Sequence, residues 1–274
     1  MIRSWFEPFN IFRVFSNLLK NREVIRMLTW RDFQAKFRGS SFGLVWAIFQ
    51  PLLTIVIYTI VFSTFLKIKF GSSESPFIFA VYLLCGLIPW MAFSESILGS
   101  TVVIRGNANL VKRVIFPLEI LPLNVNLVAM IQQVISLALL QILAWIVVGH
   151  IYFSIFLIPL FILIQFFFSA GLSWVWASLA VFFPDLRQIT SLLLNLMMFL
   201  TPVFYPEEIV PRWALWLVRL NPLAYIIRMY RLAIMEGKFP SLVEVASGSV
   251  LGIAVFILGY YWFSRTKKMF VDVL

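Results

Sequence analysis

The sequence predicts an all-α integral membrane protein, and three observations carry that prediction. Hydrophobic residues make up 62% of the chain and charged residues only 12%, with a mean hydropathy of +0.96, a balance that belongs in a bilayer rather than in water. Several apolar runs reach the roughly twenty residues a helix needs to cross hydrocarbon. Lipid admits only helices and closed barrels, and these continuous runs do not follow the alternating strands of about ten residues that build barrels.

Residues 1–41 hold eight basic residues, Arg3, Arg13, Lys20, Arg22, Arg26, Arg31, Lys36 and Arg38, against Glu7, Glu23 and Asp32. Glu7, Pro8, Asn10 and Arg13 interrupt any signal-peptide core. Trp5, Phe9, Phe12, Phe15 and Leu19 recur at helical spacing, as in an amphipathic helix lying in the membrane interface. A second helix is expected over 22–37, stopped near Gly39-Ser40-Ser41. Residues 1–41 are thus read as cytoplasmic, interfacial helices and 42–274 as one six-span domain. The spans are placed at 42–66, 77–104, 121–148, 154–183, 188–204 and 242–263.

Between the last two spans lies 201–240, which is apolar yet carries Arg212, Arg219, Arg228 and Arg231. At about 2.5–3.5 kcal/mol for each arginine at a bilayer centre, a simple span is too costly. Its apolar runs, 209–220 and 223–235, have the length of re-entrant or interfacial segments, and Asn221-Pro222 separates them. Two short helices dipping into one face are predicted, forming a re-entrant outer gate over 205–240. Six spans put both termini on one side, with 15 of the 22 basic residues, so the positive-inside rule makes that side cytoplasmic and the gate external. The net charge of +10 is read as this topology signal, with no nucleic-acid partner. Cys85 is the only cysteine, which excludes intrachain disulfides and cysteine-cluster metal sites. His150 stands alone in an outer loop, and no metal site is expected.

Taken in order, the motifs resemble the membrane subunit of ABC-2-type polysaccharide exporters, the permeases for O-antigen, capsule and teichoic acid. WRDFQAKFRGSSFGLVWAIFQPLL looks like that family's approach to its first span, and GLIPWMAFSES like its second-span signature. NANLVKRVIFPLEILP is similar to its cytoplasmic coupling helix, FFPDLRQ to its second cytoplasmic turn, and TPVFYP with NPLAYIIRMYR to its outer gate. Where that family is expected to place a glutamate before the YR pair, this chain has Arg228. The resemblance implies a homodimer in the bacterial cytoplasmic (inner) membrane, bound to two ABC ATPase subunits that carry the ATP and Mg. The chain contains no G-x-x-x-x-G-K-[ST] phosphate loop. It is read as a permease subunit without cofactor or catalytic residues of its own.

The resemblance marks candidate sites. Asn107, Asn109, Leu110, Val111, Lys112, Arg113, Asp185 and Arg187 are the expected ATPase-coupling residues; Leu110 and Val111 are read as anchors in a partner groove, beside the plainer reading of a topology-setting loop. Tyr58, Phe199, Phe204 and Tyr205 are candidates for a channel in which aromatic rings meet sugar C–H faces; lipid-facing bulk is the alternative. Trp213, Trp216, Tyr225, Arg228 and Arg231 are assigned to the outer gate, the last three on one helical face. Arg31, Lys36 and Arg38 either hold the diphosphate of a lipid-linked cargo or serve topology alone. Glu95 is read as structural or mouth-lining. Rival functions are a permease for drugs or small lipids, a membrane-embedded transferase and a secondary transporter. Scattered acids and nearly uncharged spans argue against the last two.

Overall fold

The computed structural model describes residues 11–67, 75–112 and 116–274; Trp5, Phe9 and Arg113 lie outside them. Among the described residues there are only helices, turns and bends. Helix α1 spans Ile11–Lys20 and α2 spans Arg22–Ala35. Helix α3 (Trp46–Ile60) is extended by short turns at both ends into a rod of 23 residues. Helix α4 (Pro76–Gly106) has 31 residues, starts on a proline at its first turn and is followed by the four-residue α5 (Ala108–Val111). Helix α6 (Ile120–Val148) ends at Gly149, whose φ of 87° is the left-handed cap that glycine supplies without strain. Helix α7 (Ile158–Phe182) follows a turn at Phe153–Leu157, and α8 covers Leu186–Leu200. The chain then makes α9 (Leu215–Arg219), α10 (Pro222–Arg231), α11 (Leu242–Thr266) and α12 (Phe270–Val273).

Five of these rods are long and apolar enough to cross a membrane. The fifth expected span, 188–204, is shorter than predicted. Helix α8 has 15 residues, about 22 Å at 1.5 Å per residue, and the chain turns extended at Thr201 because Pro202 disfavours a helical residue before it. In the same way Val210 is extended ahead of Pro211, so the helix expected over 209–220 shrinks to Leu215–Arg219. The break at Asn221-Pro222 is real: the Asn221 side chain accepts from the Leu223 amide at 3.0 Å, capping α10.

Helix α4 is the axis of the bundle, apolar all round and buried along most of its length. Helices α3, α6, α7, α8 and α10 all pack on it. Buried amides join them: Gln133 and Gln165 exchange hydrogen bonds at 2.9 and 3.0 Å, and Gln133 also donates to the Tyr230 hydroxyl at 3.0 Å. Helices α7 and α11 cross at backbone contact, where a Cβ added to Gly171 would run into the Val255 carbonyl and one added to Gly259 into Gly171 itself. Small residues permit such approach where lipid offers helices no hydrophobic drive to associate.

Candidate functional site

Gln50, Thr54, Tyr58 and Phe62 are spaced four apart on α3 and its C-terminal turn, so they follow one another along a face. Pro51 interrupts this helix. Lacking an N–H, it frees the Ala47 carbonyl one turn back, and the Gln132 side chain of α6 donates to that carbonyl at 2.7 Å. A cleft opens here between α3, α4 and α6, lined by Gln50, Thr54, Gln132 and Ser136 together with Lys36 and Glu95.

Beyond the cleft the contacts become aromatic. Tyr58 stacks on Phe62 at 6.1 Å, Phe62 meets Phe79 at 5.6 Å, and Phe79 meets Tyr82 at 6.2 Å. The Tyr82 hydroxyl donates to the Tyr205 carbonyl at 3.4 Å, and the Tyr205 hydroxyl to the Phe199 carbonyl at 2.8 Å. Burial, with the Glu207 carboxylate nearby, raises the Tyr205 phenol above its ordinary value, so it donates as a neutral hydroxyl. Phe199 and Phe204 stack at 5.9 Å. The four predicted channel residues therefore fall into two groups, Tyr58 at one end of an aromatic ladder and Phe199, Phe204 and Tyr205 at the other. Phe62, Phe79 and Tyr82 connect the two groups, and Phe79 and Tyr82 are buried in the core.

The gate residues divide instead of forming one face. Arg231 is buried at 5% exposure; it donates to the Tyr82 and Val203 carbonyls at 3.3 and 2.9 Å. Arg228 is half exposed and lies 4.0 Å from Glu207 and 3.6 Å from Glu244. The expected shared face of Arg228, Arg231 and Tyr225 is thus corrected. The two arginines are three positions apart, about 60° from each other around the axis, enough for one to enter the core while the other stays outside. Trp213, Trp216 and Tyr225 are exposed.

At the opposite face, Asn107 donates its side-chain amide to the Val103 carbonyl at 2.8 Å and carries the chain from α4 into α5. Val111 is buried and Leu110 half-buried, against a cluster that includes Val14, Ile104 and Phe270. Val111 is a core contact, which corrects its expected role as an anchor in a partner, while Leu110 keeps part of its surface; Asn109 and Lys112 are the exposed members. Asp185 and Arg187 are exposed in the turn before and the first turn of α8. The two expected coupling segments are brought together by Arg105, which the sequence reading passed over: it donates to the Ala180 and Val181 carbonyls at 3.1 and 2.8 Å, satisfying orphan groups at the end of α7. Both ends of the described chain reach this face, with Asn17 bonded to Tyr260 at 3.2 Å and Lys267 to Glu119 at 2.7 Å.

The three residues expected to meet a diphosphate differ in their surroundings. Arg31 pairs with the adjacent Asp32 at 2.7 Å, Lys36 pairs with Glu95 at 2.6 Å, and Arg38 is exposed in the turn after α2. Glu95 thus lines the cleft beside Lys36.

The family model described as ABC-2 type transporter matches residues 23–235 of the chain. A curated relative named O-antigen export system permease protein RfbA, from Klebsiella pneumoniae, is 26% identical over 255 residues, 92% of this chain and 95% of the relative. A protein of the same name from Myxococcus xanthus is 28% identical over 246 residues, 88% and 92% of the two chains. The polysialic acid transport protein KpsM of Escherichia coli is 24% identical over 220 residues, 78% and 82% of the two.

Proposed function

This chain belongs to the ABC-2 type transporter family, and on that premise we propose that it is the channel-forming permease subunit of an ATP-driven polysaccharide exporter. It works in the bacterial cytoplasmic membrane with both termini inside, as a homodimer served by two ATPase subunits that bind ATP and Mg. The cargo is a lipid-linked glycan of the O-antigen, capsule or teichoic-acid type. The names of the relatives support the class of cargo. The observation that carries the reading for this chain is the face of α3, polar at Gln50 and Thr54 where it lines the cleft and aromatic at Tyr58 and Phe62 beyond it. Amides and hydroxyls suit sugar hydroxyls, and rings suit the C–H faces of a pyranose.

In this reading Asn109, Lys112, Asp185 and Arg187 meet the ATPase, and Arg105 makes their two segments move as one. The 205–240 stretch is the outer gate, re-entrant and closed over the path, with Arg228 tying it to the start of α11. Reconstitution of the chain with its ATPase tests the function. Lipid-linked glycans are expected to stimulate ATP hydrolysis; stimulation by small drugs or lipids alone, with none by glycans, overturns the reading in favour of a small-molecule permease.

A further inference from the structure

The Lys36–Glu95 pair, like Lys267–Glu119, joins distant parts of the chain. It joins residues 59 apart in sequence with a bond of 2.6 Å, between the end of α2 and the middle of α4, across the mouth of the cleft. Its partners remain 28% and 42% exposed, so water and solutes reach the pair and it is readily exchanged for another. Lys36 is the only cation and Glu95 the only anion in the cleft lining. Behind them lies a surface with vacant hydrogen-bonding capacity. Gln132 spends its N–H on Ala47, while its Oε1 is buried with no partner. Ser136 and Thr54 donate only to carbonyls of their own helices, which leaves the lone pairs of their hydroxyls to accept.

We propose that this cleft is a binding site for a hydroxyl-rich ligand headed by an anionic group, and that the Lys36–Glu95 pair is the latch that closes it. Glu95 occupies the ammonium of Lys36 as an internal stand-in for the ligand's anion. An incoming anion takes Lys36, Glu95 turns to water, and the amides and hydroxyls behind become reachable. The inference rests on the export reading only for the ligand's identity as a glycan; the latch itself is defined by the pair and the cleft.

The test is thiol labelling, which needs no transport. The native Cys85 is fully buried, so Ser136→Cys places the reporter deep in the cleft. Vesicles exposing the α2 face are treated with a membrane-impermeant maleimide. Adding Lys36→Gln or Glu95→Gln is expected to speed labelling about fivefold, the factor that loss of a partly exposed ion pair brings to an opening equilibrium. The swapped pair, Lys36→Glu with Glu95→Lys, is expected to restore slow labelling. Inorganic pyrophosphate is expected to speed labelling of the reporter chain but not of its Lys36→Gln form. Equal rates in all variants, or fast labelling in the swapped chain, overturn the latch; no response to pyrophosphate overturns the anionic ligand. Failure of glycans to stimulate the ATPase would instead remove the export reading and leave these rates as they are.

Discussion

The guanidinium of Arg231 lies 3.6 Å above the ring of Tyr82 and donates to the carbonyl of the same residue. With its bond to Val203, one side chain of α10 fastens the axial helix and the 201–205 turn to the gate segment. Gly86, one turn along α4, leaves the room: a Cβ there would come within 3.0 Å of the guanidinium and 3.2 Å of Ile227. An arginine in this position is a structural rivet between α4 and α10.

Replacing Arg231 by methionine keeps the volume and removes the charge. The two carbonyls lose a charged donor and Tyr82 loses its cation, a combined cost of about 2–4 kcal/mol. Thermal unfolding of the detergent-purified protein is expected to show that loss, with Arg231→Lys recovering only part of it because an ammonium lacks the fork that reaches both carbonyls. A methionine variant as stable as the parent would show that packing alone holds the turn.

The helical class, five of the spans and the break before Pro222 were legible because each rests on local signals: apolar length, charge, and proline. The length of α8 was misjudged by counting apolar residues through Thr201-Pro202, where the backbone preference of the residue before proline outweighs hydropathy. Side-chain direction was not legible at all. Val111 and Arg231 carry opposite expectations, an apolar anchor outside and a charge at a wet exit, and both turn inward, since their placement is set by α1, α4 and α12 from far along the chain. Arg105 was hidden for the same reason: nothing near it in sequence announces the exposed carbonyls of α7. Pro51 and Gln132 are the instructive pair, for a proline in a span announces an orphan carbonyl, and a polar residue on another span is then the donor to look for.

Val111 and Lys112 give a contrast that separates fold from coupling. Val111→Asp places a carboxylate in the cluster around Ile104 and Phe270 and is expected to abolish accumulation of folded protein, since an unpaired buried charge costs several kcal/mol. Lys112→Glu is expected to leave thermal stability within about 0.5 kcal/mol while reducing recovery of the ATPase with the tagged permease. Wild-type recovery with Lys112→Glu and Asn109→Lys combined would move the docking surface elsewhere.

Gly259 tests the α7–α11 crossing. Any side chain there meets the Gly171 backbone, which cannot rotate away, so the helices must part. Gly259→Ala is expected to destabilise by about 1–3 kcal/mol, as overpacking does, and Gly259→Leu to prevent folding. Ser249→Ala, on the same helix with its hydroxyl bonded only to Val245 of its own turn, is the control expected to unfold with the parent.

Tyr58 is where the polar and aromatic parts of the α3 face meet, half-buried and stacked nearly parallel on Phe62 with 5° between the rings. If passage of a sugar chain depends on a ring surface here, the ring matters more than the hydroxyl. Tyr58→Phe is expected to export at close to the parental rate. Tyr58→Ala removes a stacking surface of about 1 kcal/mol, which corresponds to a fall in export rate of about fivefold, with normal abundance and an unchanged ATPase rate in the absence of glycan. The two substitutions together discriminate the roles. A loss shared by the phenylalanine variant assigns the hydroxyl rather than the ring, and parental export by the alanine variant, with unchanged chain length of the product, removes Tyr58 from the path and leaves Phe62 as the ring to test next.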